Sequence, residues 1–540
     1  MFTVRRQLSN RLPTCISSIG RSYHGFPVMA NRDYAAAVAA LNTLQSNFSI
    51  VDAIRKSGKG MNKQAIPEMI EWCRKIGYEP SDFDRLKPIH IAGTKGKGST
   101  SAFVSSILSQ YLPSTPDPST RPSKTGLYTS PHLRFVRERI QINHEPISEE
   151  MFAKYFFEIW DRLEAASKAA GTPADAPTKP VYFRYLTLMA LHAYLEEGVD
   201  TAIMECGIGG EYDSTNILTK PSVTAVTSLG IDHTAMLGTT LPEIAWHKAG
   251  IFKPGVVAFT APQKEEAMTV LQERAAERNT ALHAIQVHPA LSNNEIKLGL
   301  SAEFQKINAS VAIAVAAAHL RSLGHTSIPD PTKTPHIDLP SQFIRGLESV
   351  RWPGRCEVRR EPEIAWHIDG GHTLESIEVT GRWFAEQMAL SKASPISSTP
   401  RVLIFNQQTR DAGALAKALY AALQTGITSG TTSPFTHVIF TTNQTFNEGY
   451  RPDLVSINVN QQDVDTLAVQ KALASTWSDV DGTANVSVVK TIEEAITAAR
   501  GVASEWSGKH PDESAIMVLV TGSLHLVGGA IEVLETVTKS

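Results

Sequence analysis

From Asp33 to about Gln342 short apolar runs alternate with amphipathic stretches, a pattern that predicts a parallel sheet with helices between its strands. Strands are expected at Pro88 to Ala92, Thr201 to Glu205, Val223 to Ser228 and Val256 to Phe259, with helices at Ser99 to Tyr111 and Phe183 to Leu195. The Pro- and Thr-rich segment Gly324 to Pro340 follows an apolar helix, Ala309 to Leu320, and leads into an interdomain connection. A second α/β pattern then runs to the end, with strands expected at Ala365 to Asp369, Val402 to Asn406, His437 to Thr441 and Ala515 to Thr521. Stretches at Pro113 to Ser123, Gly171 to Pro180 and Ser391 to Pro400 hold too many Pro and Ser residues to form a packed face, and read as surface insertions. No internal repeat or sustained heptad is present.

Length agrees with this division, because 540 residues exceed what one core supports. The expected domains are 29–345 and 346–540, after a separate leader at 1–28. In the leader Arg5, Arg6, Arg11 and Arg21 are interspersed with serines and the first acidic residue is Asp33, the composition of a mitochondrial transit peptide. The expected location is therefore mitochondrial, in the matrix or associated with the inner membrane. Met29 opens a new alanine-rich segment and offers a start for a cytoplasmic form.

A net charge of −3 gives no bulk attraction to nucleic acid, so an anionic ligand must be held by a local site. Cys15, Cys73, Cys206 and Cys356 form no CxxC pair, which argues against a disulfide framework or a structural zinc site. No apolar run is long enough for a spanning helix.

The strongest local signal is Gly93-Thr94-Lys95-Gly96-Lys97-Gly98-Ser99-Thr100, which follows an apolar strand and opens a helix. Small residues let backbone N–H groups approach phosphate oxygens, the helix N-terminus favours anions, and Lys97 can reach the β- and γ-phosphates. Ile91 stands where the general phosphate-loop pattern has its first glycine, and such a loop alone does not separate kinases, motors and ligases. Glu205 ends a buried strand, where a parallel sheet places a magnesium ligand. The next strand leads to His233, so carboxylate and imidazole reach one rim of the sheet and suggest a metal site. Lys248, in a mostly apolar helical turn, reads on physics alone as a lysine snorkelling to water.

These segments, with Tyr128 to Leu133, Asp213, Thr215, Asn216, Trp352 to Arg355, His367 to Thr373 and Thr521 to Gly528, occur in an order that resembles the folylpolyglutamate synthase family, relatives of the bacterial cell-wall Mur ligases. The match covers nearly everything after the leader. The resemblance implies a phosphate-loop ATPase-like first domain and a smaller Rossmann-like second one. It further implies ATP as co-substrate, two magnesium ions and a monovalent cation, with folate and L-glutamate as partners, in a monomer. By it, Gly93 to Thr100 cradle ATP, Ser130, Glu205 and His233 hold magnesium, and Lys248 is carried as a carbamate that also ligates metal. Asn308 takes the adenine side, Arg355 and Asp369 reach ATP from the second domain, and His372 joins Lys97 and Lys248 as a catalytic candidate near the incoming glutamate. Val136 to Ile140 and Arg184 favour the eukaryotic polyglutamate-adding branch, the alternative being dihydrofolate synthesis from dihydropteroate. Asn406 to Asp411 resembles a family loop but lacks its glycine, and stays out of the site.

Overall fold

The computed structural model describes residues 31–45, 63–114, 121–333, 338–391, 399–408, 411–426, 433–447, 466–511 and 515–537. The leader and Met29 lie outside these, as do Cys15, Arg410 and parts of three of the Pro-rich stretches.

The strands expected to be apolar on both faces form the middle of a sheet buried on both faces, as covered parallel sheets require. Its strands are β1 (Ile89–Ala92), β2 (Thr125–Tyr128), β3 (Ile140–Ile142), β4 (Glu145–Pro146), β5 (Thr201–Glu205), β6 (Val223–Val226), β7 (Ala258–Thr260) and β8 (Leu282–Ala284). They lie in the order β4-β3-β2-β5-β1-β6-β7-β8. The sheet is mixed rather than wholly parallel: β2–β3 and β3–β4 are antiparallel, the chain returning from β2 through the segment 129–139 and from β3 through a short turn at Asn143 and His144. One face is covered by aromatic-rich helices, including Glu149–Ala169 and Tyr182–Glu196, through Phe152, Phe156, Tyr185 and Met189. The other is covered by Lys97–Ser109 and Gln305–Ser322, through Phe103, Ile107, Val311 and Val315.

That second core continues into the helix Ser341–Ser349, whose Phe343 and Leu347 are fully buried against it. The junction expected at 345/346 falls inside this helix, and the chain passes to the second sheet through Arg351 to Cys356. The second sheet has β9 (Glu357–Arg360), β10 (Ile364–Ile368), β11 (Arg401–Phe405), β12 (His437–Phe440), β13 (Asn485–Val488) and β14 (Ile516–Thr521). Their order is β13-β12-β11-β14-β10-β9, with only β9 antiparallel.

The two lobes meet at a loop that follows β2. Leu133 packs under Gly354 and Val527, and a side chain at Gly528 would begin 2.1 Å from the Leu133 carbonyl oxygen. Arg134 pairs with Glu535 of the helix Leu524–Val537, and Glu535 also accepts from Arg359 at 3.1 Å. Among the described residues no helix is long and apolar enough to cross a membrane.

Candidate active site

The glycine-rich loop leaves β1 at its carboxyl end and is clipped to the neighbouring β6. Thr94 and Lys95 donate their backbone N–H groups to the Ser228 carbonyl at 3.0 Å, and the Thr227 hydroxyl donates to the Lys95 carbonyl at 2.7 Å. Gly96, at φ +86°, precedes the helix Lys97–Ser109 with no side-chain cap, so the first N–H groups of that helix are offered to a ligand. Behind the turn, Asn308 donates to Gln305 at 2.9 Å and Gln305 donates to Ser99 at 3.2 Å, which ties the helix Gln305–Ser322 to the loop.

Two lysine Nζ atoms converge on one carbonyl: Lys97 donates to Gly93 O at 3.0 Å and Lys248 to the same oxygen at 2.8 Å. Lys248 therefore does not snorkel to water; it is 2% exposed, and burial, with Lys97 beside it, brings its amine down to about 7. A buried carbonyl close to the helix end supplies the acceptor that water would otherwise supply.

Glu205 ends β5 opposite Ile91 of β1 and is also buried. Burial raises its carboxyl to about 7 against the opposing pull of Lys97, the Ser130 N–H, Arg355 and Arg139. Its Oε2 accepts from that Ser130 N–H at 3.4 Å. A carboxylate pushed up by burial next to a serine offers hard oxygen donors, the kind magnesium prefers. His233 sits at φ +53° before a single helical turn, beside Asp232, whose carboxylate faces Lys95 at 3.3 Å. Among the described residues no three His, Cys, Asp or Glu side chains gather at metal-holding spacing.

The second lobe brings Arg355, Asp369 and His372 to the same place. Asp369 is itself a brace: it accepts from Cys356 N and Gly371 N at 2.9 Å and from the Thr380 hydroxyl at 2.6 Å, fixing the turns that carry Arg355 and His372. His372 donates from Nδ1 to Gly370 O at 3.0 Å, which leaves Nε2 as the ring's other polar atom. Lys95 crosses between lobes, donating to the Thr373 hydroxyl at 3.0 Å.

One cavity of about 1350 Å³ joins these parts. Thr94 to Ser99, Ser130, Glu205, His233, Asn308, Arg355, Asp369 and His372 line it. Gly93, Thr100 and Lys248 do not line it. The cavity also takes in residues to which the motifs assign no part in the site. Trp352 lies against Gly98; Arg139 donates to His132 at 2.9 Å and lies over the Tyr182 ring; Glu375 and Ser376 come from the helix Leu374–Leu390. The Arg139–Tyr182 stack joins positions more than forty residues apart, a pairing with no local sequence signal.

No family model matches the chain. It is 46% identical over 507 residues to a folylpolyglutamate synthase of Neurospora crassa, covering 93% of this chain and 92% of the relative. It is likewise 46% identical over 517 residues to that of Saccharomyces cerevisiae strain S288c, covering 94% and 88%. Among solved structures, the folylpolyglutamate synthase of Mycobacterium tuberculosis complexed with ADP and AMPPCP superposes with a TM-score of 0.63 at 22% identity, covering 93% of this chain and 98% of the other. The apo form from L. casei superposes at 0.62 and 21%, covering 93% and 100%. With the two-lobed fold matched over nearly its whole length and identity of this level to the fungal enzymes, the chain belongs to the folylpolyglutamate synthase family.

Proposed function

We infer that the chain is an ATP-dependent ligase that adds L-glutamate to the γ-carboxyl of folate, tetrahydrofolate and their polyglutamates, releasing ADP and phosphate. The observation that carries this is the single cavity in which an uncapped helix N-terminus and Lys97 of one lobe face Arg355 and His372 of the other. Joining a carboxylate to an amine in water requires a better leaving group than oxide. The folate γ-carboxylate attacks the γ-phosphorus of ATP, ADP departs, and the glutamate amine then displaces phosphate from the acyl phosphate.

Phosphoryl transfer of this kind is helped chiefly by positioning and charge neutralisation. The loop N–H groups orient the phosphates, Lys97 turns from Gly93 O toward them, and Arg355 adds positive charge from the opposite wall. Magnesium, when bound, neutralises phosphate charge, and Ser130, Glu205 and His233 are the residues that would hold it. Lys248, whose amine burial lowers to about 7, holds a share of the uncharged form that takes up carbon dioxide; intact-mass measurement in bicarbonate tests that carbamate. Water is kept from the acyl phosphate by the two lobes closing over it.

The test is incubation with ATP, Mg²⁺, labelled glutamate and either tetrahydrofolate or dihydropteroate, followed by product mass. Tetrahydrofolate gains glutamyl residues under this reading. Turnover confined to dihydropteroate makes the chain a dihydrofolate synthase, and a phosphorylated product makes it a kinase. A mitochondrial form and a cytoplasmic form starting at Met29 accompany the proposal on the basic, serine-bearing leader; cytosolic enzyme carrying residues upstream of Met29 would remove the second start.

A further inference from the structure

Five carboxylates line the cavity: Glu205, Asp213, Asp232, Asp369 and Glu375. Four are already committed. Glu205 is the buried strand-end acid beside Ser130 and Lys97. Asp213 accepts from Ile208 N at 2.9 Å and from Thr215 N and its hydroxyl at 3.0 and 2.6 Å, so its oxygens are taken up in holding its own loop. Asp232 faces Lys95 and accepts from His233 N at 2.9 Å, and Asp369 accepts from two backbone N–H groups and the Thr380 hydroxyl. Among the described residues, Glu375 is the one of the five with no hydrogen bond or ion pair.

Its placement differs from that of an ordinary acid in the first turn of a helix. Glu375 leaves the second lobe and reaches across to the first, where its carboxylate oxygens stand 3.1 and 3.4 Å from the point a side chain at Gly230 would occupy. That is next to Asp232 and His233, and two residues along the chain from Thr373, on which Lys95 docks. The site on the phosphate side is rich in cations suited to ATP and to folate carboxylates. Glutamate is the co-substrate that brings an ammonium group into the cavity, and a carboxylate with its acceptor positions uncommitted is the complementary partner.

Resting on the ligase reading above, we propose that Glu375 receives the α-ammonium of the incoming L-glutamate and sets the enzyme's selectivity for an amino acid over a plain dicarboxylate. It acts as a binding residue and takes no proton in this assignment.

The experiment compares full-length wild type with Glu375→Gln and Glu375→Asp, using L-glutamate as substrate and glutarate, which has the same two carboxylates without the amine, as competitive inhibitor. Loss of a charge-assisted contact raises the KM for glutamate about 10- to 100-fold in Glu375→Gln. The KM values for ATP and folate, the Mg²⁺ activation constant and glutarate inhibition stay as in wild type. Glu375→Asp, which keeps the charge on a shorter arm, retains more affinity than Glu375→Gln. A glutamate KM within about twofold of wild type, an equal weakening of glutarate, a shifted Mg²⁺ requirement or the reverse order of the two variants overturns the assignment. Matching thermal melts separate these outcomes from misfolding, and a wild-type enzyme that ligates no glutamate sinks the ligase reading instead.

Discussion

Replacing Gly96 by alanine tests whether the loop's shape is dictated by its own backbone and by Asn308 together. Gly96 lies at φ +86°, a region that costs an L-residue about 1–2 kcal/mol. The new methyl would also stand 2.2 Å from Asn308 Oδ1 and 2.9 Å from its Cγ. Asn308 is 4% exposed and held by Gln305, so it cannot swing aside, and overpacking of this kind costs about 1–3 kcal/mol more. Gly96→Ala should therefore destabilise the first lobe by about 2–5 kcal/mol and raise the KM for ATP. Asn308→Ala alone forfeits one hydrogen bond, about 1 kcal/mol. In the double variant the clash is gone while the backbone cost stays, so the two changes should be less than additive by about 1–3 kcal/mol. Urea titrations followed by far-ultraviolet circular dichroism, run on all four proteins, supply the cycle. Additivity within about 0.5 kcal/mol would show that Asn308 has no part in requiring glycine there.

Other expectations are equally direct. Lys97→Ala should lower the glutamate-dependent release of ADP at least about 100-fold with the melting temperature little changed; turnover within a few-fold of wild type would remove Lys97 from the chemistry. Arg134→Ala breaks the bridge to Glu535 and Glu532 and should loosen lobe docking, seen as a larger radius of gyration in X-ray scattering; an unchanged profile would place the docking energy in the remaining contacts between the lobes, such as Leu133 with Gly528 and Lys95 with Thr373. His319, buried between Thr201 and Ser222 with Lys87 and His325 nearby, is lowered by burial to about 3. The unfolded chain binds a proton there from about pH 6.5 downward while the folded chain does not, so stability is lost as pH is lowered from about 6.5 toward about 3, by up to about 1.4 kcal/mol per unit. His319→Gln should flatten that part of the urea-midpoint profile, and an unaltered slope would contradict it.

The central strands were legible because a sheet buried on both faces writes itself as continuous apolar runs; Thr201–Glu205 begins and ends where that run does. The edges were not. Thr125–Tyr128 is four residues long with a glycine inside, and Asn485–Val488 alternates polar and apolar residues over only two repeats, too short a run to stand out. In the site, Gly93 to Thr100 could be read because the requirement for small residues is local. Asn308, Arg355 and Asp369 came only through resemblance, since their meeting depends on tertiary packing. The burial of Lys248 has no local signal, because the acceptor that satisfies it belongs to a glycine 155 positions away. Glu375 carries no sequence signal, since an acid in a helix's first turn is ordinary and its approach to Gly230 arises only from the packing of the two lobes.

The sharing of one carbonyl by Lys97 and Lys248 has a mechanical consequence. A phosphate that attracts the Lys97 ammonium removes only one of two tethers from Gly93 O, and the deeper amine stays in place. The hinge of the loop is thus never released, and nucleotide entry demands a side-chain swing rather than a rearrangement of the main chain.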